Sequence, residues 1–220
     1  MKLIEKENCF LIEDFFDSGT IAGFTKPGLP GDVLRDIPRV FTSLKDFKIA
    51  YLKQIHSSIV HSIQKECFLE GDGLITNETN IVCVVRTADC MPLFLSSKAL
   101  GVTGIIHMGW RSAKKGILNN INYDLKSFKA IAGLGMRQCC YKVGNEFLEY
   151  SEFNSFLKKD GNDLYFNPID FIEKNLAARG LNKNNFLDLN ICSLCSKEKF
   201  FSFRRDSTDF RTLSFIVRTK

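Results

Sequence analysis

The 220-residue sequence predicts an α+β fold: a single domain with a mixed β-sheet core flanked by helices. Three observations lead there. Apolar runs of strand length recur along the chain. Several follow one another with only a turn between them, whereas a doubly wound fold would place a helix after each strand. Finally, hydrophobic residues make up 45% of the chain and no Pro/Gly/Ser-rich linker divides it, so one core over residues 1–220 is expected.

In order, Cys9–Ile12 and Ile21–Phe24 read as strands joined by the turn Asp17-Ser18-Gly19. Thr25-Lys26-Pro27-Gly28-Leu29-Pro30-Gly31 is too rich in proline and glycine for a regular element and reads as a loop. Ile49–Lys53 and Ser58–Ile63 are strand-like, with Gln54-Ile55-His56-Ser57 between them. Glu70-Gly71-Asp72-Gly73 reads as a tight bend entering the strand Leu74-Ile75-Thr76. Ser112–Leu125 carries apolar residues at helical spacing, Ala130–Gly133 reads as a strand, and a helix is expected near Asn145–Leu157. Pro168–Arg179 is an amphipathic helix with proline at its start and Gly180 beyond its end. Phe186–Ile191, Phe200–Arg204 and Leu213–Arg218 read as closing strands.

The basic residues behind the net charge of +5 are scattered, which argues against a nucleic-acid stripe. Acidic residues interrupt the N-terminus where a signal peptide needs apolar ones, and no run of about 18 apolar residues occurs. A cytoplasmic protein with no membrane contact is expected, its eight cysteines reduced. Cys9, Cys67 and Cys83 read as small core residues.

Reactive side chains concentrate in Ile81–Ala113. Two apolar runs, Ile81–Val85 and Gly101–Ile106, are read as neighbouring strands, and each leads into a polar cluster: Arg86-Thr87-Ala88-Asp89-Cys90 and His107-Met108-Gly109-Trp110-Arg111. A thiol and an imidazole at the ends of neighbouring strands can meet in space. A helix beginning after Trp110 would aim its amides at that point, favouring an anion.

Gln54-Ile55-His56, Asp72-Gly73-Leu74-Ile75-Thr76, Thr87-Ala88-Asp89-Cys90-Met91-Pro92, His107-Met108-Gly109-Trp110-Arg111, Cys139-Cys140-Tyr141-Lys142-Val143-Gly144 and Phe201-Ser202-Phe203-Arg204-Arg205-Asp206 occur in one order. In this the chain resembles the YfiH, or laccase-domain, family, also called the multicopper polyphenol oxidase family and now largely named purine nucleoside phosphorylases. The resemblance runs from about Phe24 to the C-terminus. It implies a metal site at His56, Cys90 and His107, a ligand set suited to zinc, with copper the alternative. Three protein ligands leave a fourth position open, as catalytic sites do.

The resemblance further implies phosphorolysis of purine nucleosides (adenosine, inosine, guanosine, 5′-methylthioadenosine) and deamination of adenosine, with nucleoside and phosphate as partners and a monomer or homodimer as the assembly. Lys26, Asp72, Arg111 and Arg204 are the expected substrate contacts, Lys26 standing where the family carries an arginine. Asp89 is the expected carboxylate behind a ligand imidazole. Arg204 and Arg205, if on a strand, would face opposite ways, so one of them would reach the site.

Two other readings stay open: a copper-dependent polyphenol oxidase, and a metal-free hydrolase with Cys90 as nucleophile and His107 as base. Cys192-Ser193-Leu194-Cys195 has half the spacing of a zinc site, which Cys139 and Cys140 would complete. Because an adjacent pair strains to reach one ion, these four thiols are expected to be structural.

Overall fold

The structure is a computed structural model and describes residues 1–42, 46–196 and 198–219. Its N-terminal part holds β1 (Lys2–Glu5), β2 (Cys9–Glu13), β3 (Thr20–Thr25) and helix α1 (Val33–Val40). Next come β4 (Lys48–Lys53), β5 (Val60–Ile63), β6 (Cys67–Glu70) and β7 (Gly73–Thr76). The central run is β8 (Ile81–Thr87), β9 (Met91–Ser97), β10 (Val102–Met108) and the short helix α2 (Trp110–Lys114). The remainder comprises β11 (Lys129–Ala132), β12 (Lys142–Val143), β13 (Leu157–Asp160), β14 (Asp163–Phe166), α3 (Pro168–Ala178), β15 (Phe186–Asp188), α4 (Phe203–Asp206) and β16 (Thr212–Arg218).

These strands form a seven-stranded sheet ordered β1-β2-β3-β16-β8-β4-β6 and a six-stranded sheet ordered β15-β11-β9-β10-β7-β5, with β12-β14-β13 as a small third sheet. Both large sheets are mixed: β4 runs parallel to β6 and β8, and β7 parallel to β5, while most other pairs are antiparallel. The α+β expectation therefore holds.

The alternation of side chains explains why β8 reads as a continuous apolar run. Cys83 and Val85 face Phe94, Ile105 and Ile131 of the second sheet, while Val82 and Val84 face Val33 and Ile37 of α1 on the other side. The strand is buried on both faces, so it carries no polar stripe. The same holds for β9, whose Phe94 joins the layer between the sheets and whose Leu93 and Leu95 join a second layer under α3 and the aromatic cluster Phe147, Phe153, Phe166 and Phe171. Fully burying each such side chain contributes about 1.5–3 kcal/mol, which is ample reason for the order of layers α1, sheet, sheet, helices.

Several expected elements differ. Strands β8 and β10 do not pair; they lie in different sheets and face each other across the sandwich. The single helix expected over Ser112–Leu125 is instead α2 followed by 3-10 turns at Ile117–Asn120 and Leu125–Ser127, because Gly116 adopts a left-handed φ of 72°. The freed carbonyls of Leu118, Ile121 and Tyr123 are collected by the Arg179 guanidinium, which makes this irregular path tolerable in a buried setting. The helical spacing still marked the right buried residues, Ala113, Ile117, Ile121 and Leu125.

The helix expected near Asn145–Leu157 is a series of 3-10 turns closed by Tyr150 N to Phe147 O, Phe153 N to Tyr150 O and Phe156 N to Phe153 O. That tighter repeat aims Phe147, Phe153 and Phe156 into one cluster. Phe200–Arg204 is not a strand: Ser202 Oγ accepts from Arg205 N and starts α4. No helix of the described residues is long and apolar enough to cross a membrane.

Candidate active site and metal centre

The chain leaves the first sheet at the end of β8 and enters the second at β9, and Cys90 sits in the three-residue crossover. His107 lies near the end of β10, and His56 lies in the loop after β4 with a left-handed φ of 54°. Strand ends from both sheets thus bring the three residues together. One ligand atom from each lies within 4.8 Å of the others, and Cys90 Sγ is 3.6 Å from His56 Nε2. The two imidazole rings meet edge to face with centroids 4.9 Å apart.

Asp72 fixes this arrangement from beneath. Its Oδ1 accepts from His107 Nδ1 at 2.8 Å and from the His56 amide at 3.0 Å. Its Oδ2 accepts from the Ser57 amide and hydroxyl, both at 2.6 Å, and from Ile55 N at 3.4 Å. A carboxylate can only accept, so His107 carries a proton on Nδ1 and it is Nε2 that is left to face Cys90 and His56. Burial works against ionisation of Asp72, but the hydrogen bonds from His107 and Ser57 outweigh it and hold the carboxyl at about 2.

Burial likewise opposes charge on Cys90 and His107, yet each stabilises the other: the thiol is pulled below its ordinary range and the imidazole is pushed above its own. Gly109 closes the floor. A Cβ there would stand 2.6 Å from His56 Cδ2 and 3.1 Å from Cys90 Sγ, so only glycine lets the chain pass beneath the cluster.

Above the cluster opens a cavity of about 760 Å³. Its wall offers aromatic faces from Phe68, Trp110, Tyr141 and Phe203, and guanidinium groups from Arg86, Arg111, Arg204 and Arg211. Phe68 stacks on Tyr51 with centroids 4.7 Å apart, and Arg111 lies over the Trp110 ring at 4.5 Å. Among the described residues no salt bridge engages any of these four arginines.

The structure relocates several expected contacts. Lys26 does not line the cavity; its Nζ pairs with Glu5 at 2.6 Å. Asp72 is fully buried and cannot meet a substrate. Asp89 holds neither imidazole: its oxygens accept from Ser193 Oγ and Arg204 N, both at 2.8 Å, and the carboxylate behind an imidazole is Asp72. Arg204 lines the cavity and donates to Lys142 O at 2.6 Å, while Arg205 turns away to Ser193 O, Leu194 O and Phe200 O. Helix α2 has only five residues and no side-chain cap, too little for an anion site of its own. Arg86, which belongs to the first polar cluster, and Arg211 also line the cavity, although neither is among the expected substrate contacts; the charge of Arg86 at the end of the apolar run of β8 is the signal that marks it.

Residues 25–219 match the family described as multi-copper polyphenol oxidoreductase laccase. The chain belongs to this laccase family. Among its relatives are a purine nucleoside phosphorylase of Clostridium acetobutylicum, 36% identical over 85% of this chain and 83% of the relative, and one of Aquifex aeolicus, 38% identical over 68% and 71%. A protein named adenosine deaminase RL5, from an unknown prokaryotic organism, is 31% identical over 64% of this chain and 60% of its own length. The crystal structure of YlmD from Geobacillus stearothermophilus superposes with a TM-score of 0.86 at 20% identity, covering 99% of this chain and 98% of that one, and so shares the fold.

The family is metal-associated, and the cluster fits a metal ion on its own chemistry. Two imidazoles and a thiolate converge, a carboxylate sets the tautomer of one, and a glycine leaves room below.

Proposed function

We propose that the protein is a zinc-dependent purine nucleoside phosphorylase that also deaminates adenosine. The observation that carries the reading is the convergence of His56, Cys90 and His107 at the base of a cavity ringed by guanidinium groups without carboxylate partners. The names of the relatives agree with it.

His56, Cys90 and His107 would hold the ion, whose contribution when bound is Lewis-acid activation of the attacking oxygen. The chain does the rest. Asp72 keeps the His107 proton on Nδ1, so the imidazole presents a lone pair to the site throughout turnover. Phe68, Tyr141 and Phe203 offer flat faces against which a purine can stack. Arg111, Arg86, Arg204 and Arg211 supply the positive charge that a phosphate dianion needs close to the ribose, and arginine can grip it with two parallel N–H donors. Hydrogen bonds from the Arg204 guanidinium to Lys142 O and from its backbone amide to the Asp89 carboxylate hold one of these guanidinium groups in place before substrate arrives.

A multi-copper oxidase needs more ligands than this site offers: the chain has three histidines, and the ring of His61 is engaged by Glu70 O at 2.9 Å. A thiol hydrolase would instead use Cys90 as nucleophile and His107 as base, the pair whose ionisation is mutually favoured. One experiment separates the readings. Base release from adenosine and inosine is measured with and without phosphate, on protein of known metal content. Phosphate-dependent release that disappears on chelation and returns with zinc is expected. Phosphate-independent conversion of adenosine to inosine alone would leave a deaminase, and full activity in metal-free protein would favour the thiol hydrolase.

A further inference from the structure

Of the seven cysteines outside the site just described, four gather in one place. The Sγ atoms of Cys139, Cys140, Cys192 and Cys195 all lie within 4.8 Å of one another, and those of Cys139 and Cys195 are 3.8 Å apart. With zinc–sulfur bonds of about 2.3 Å, a tetrahedral ion separates its sulfurs by about 3.8 Å, whereas a disulfide brings them to about 2.05 Å. We propose that these four cysteines form a second, closed metal site, a tetrathiolate that binds zinc and staples two loops of the cavity wall.

Adjacent cysteines ordinarily meet strain in reaching one ion. The backbone removes it. Cys140 N and Tyr141 N both donate to Arg137 O at 2.9 Å, and Lys142 N donates back to Cys140 O, so Cys139 and Cys140 sit inside a tight turn that brings both sulfurs into the same cluster. The other loop is also closed on itself, by Ser196 N to Cys192 O at 3.0 Å, and runs beside the first through Ser193 N to Gly135 O at 3.1 Å. Backbone amides of Arg137, Leu194 and Cys195 point at Cys192 Sγ. Such donors offset the charge of a thiolate without adding a competing ligand, and four sulfur ligands leave no open position, as structural zinc sites require.

The staple would stand directly behind the catalytic cavity. One loop continues into Tyr141, which lines it. The other carries Ser193, which donates to Asp89 next to Cys90, and its carbonyls at 193 and 194 are held by Arg205. Arg204 bridges the two by reaching Lys142 O. Closing the four thiolates on one ion would therefore fix the wall that presents Arg204 and Tyr141, with no part in bond making.

The test is metal content per chain in protein purified under reducing conditions, for the wild type, His56→Ala and Cys139→Ser/Cys195→Ser, with circular dichroism to confirm folding. Two ions in the wild type and one in each variant are expected. Cobalt loading identifies which remains: the His56→Ala protein should show the intense thiolate charge-transfer absorption of a four-sulfur tetrahedral site, and Cys139→Ser/Cys195→Ser should lack it. Because His56→Ala leaves all four thiols intact, this measurement stands even if the serine variant does not fold. A wild type with one ion that only the serine variant loses would uphold the staple and overturn the metal reading of His56, Cys90 and His107. A folded His56→Ala protein without metal, or a Cys139–Cys195 disulfide in freshly reduced-purified protein, would overturn the staple.

Discussion

Replacing Asp72 with asparagine tests the construction of the proposed metal centre at one atom. The carboxylate accepts from His107 Nδ1, the amides of Ile55, His56 and Ser57, and the Ser57 hydroxyl. Asparagine has one oxygen, so its amide nitrogen must face either His107 or the Ser57 amide. Facing His107, it forces the ring proton onto Nε2 and removes the lone pair from the site. Facing Ser57, it sets two donors against each other in a fully buried place, which costs about 1–3 kcal/mol. Metal affinity should fall about 10–100-fold, as when a carboxylate behind a ligand histidine is removed.

Stability changes in step. The folded carboxyl is held at about 2, below its ordinary value, so it stabilises the metal-free fold above about pH 4 and the contribution fades as pH falls toward 2; at neutral pH it amounts to roughly 2 kcal/mol. The asparagine variant should lose that increment and the acid dependence it causes. Competition against a chromophoric chelator gives the affinity, and urea unfolding of the metal-free protein at pH 7 and pH 3 gives the rest. Wild-type zinc affinity in the Asp72→Asn protein would refute the argument. Asp89→Asn serves as the contrast: it touches Ser193 and Arg204 rather than an imidazole, so zinc affinity should be unchanged.

Further outcomes follow from the same geometry. Gly109→Ala should abolish metal binding while leaving the circular dichroism spectrum intact, since its Cβ would lie 2.6 Å from the His56 ring; normal metal content would show that the loop can shift. Arg111→Ala should impair phosphorolysis more than adenosine deamination, because water brings no comparable charge to the cavity; equal losses in both assays would remove Arg111 from phosphate binding. Lys26→Ala should leave the Michaelis constant for phosphate unchanged and lower stability by no more than about 1 kcal/mol, since its partner Glu5 is exposed; a large rise in that constant would mean the loop closes over the substrate.

How much of this could be read from the sequence depends on which side chains had their partners nearby in the chain. The apolar runs of β8 and β10 and the helix α3 were legible because strand and helix periodicity is local. The same runs placed Cys90 and His107 at strand ends, but nothing in spacings of 34 and 17 residues tied them to His56; the family motifs did that. That β8 and β10 belong to different sheets was not legible, since a run buried on both faces looks alike in a pair of neighbours and in a pair of stacked layers. Where the helical pattern after Trp110 misled, Gly116 broke the helix locally, but the partner that sustains the irregular path is distant: Arg179, far along the chain, takes the carbonyls that a helix would otherwise have used.

Asp72 and Asp89 show the same limit at the site itself. Asp89 adjoins Cys90 in sequence and so looked like the carboxylate that orients an imidazole. In the fold its backbone takes a left-handed φ of 86°, and the side chain is spent on Ser193 and Arg204. Asp72, between Gly71 and Gly73, looked like the residue of a bend. It is one, but the glycines serve a second purpose: a Cβ at Gly71 would meet the His61 ring at 2.9 Å and one at Gly73 would meet Val60 at 2.9 Å. Only a bare backbone lets the bend press this close to β5, with the Asp72 amide donating to Ile59 O at 3.0 Å and its carboxylate drawn under the His56 loop and His107. The glycines that marked a turn in the sequence therefore help build the proposed metal centre, and substituting either should loosen His56 and His107 together.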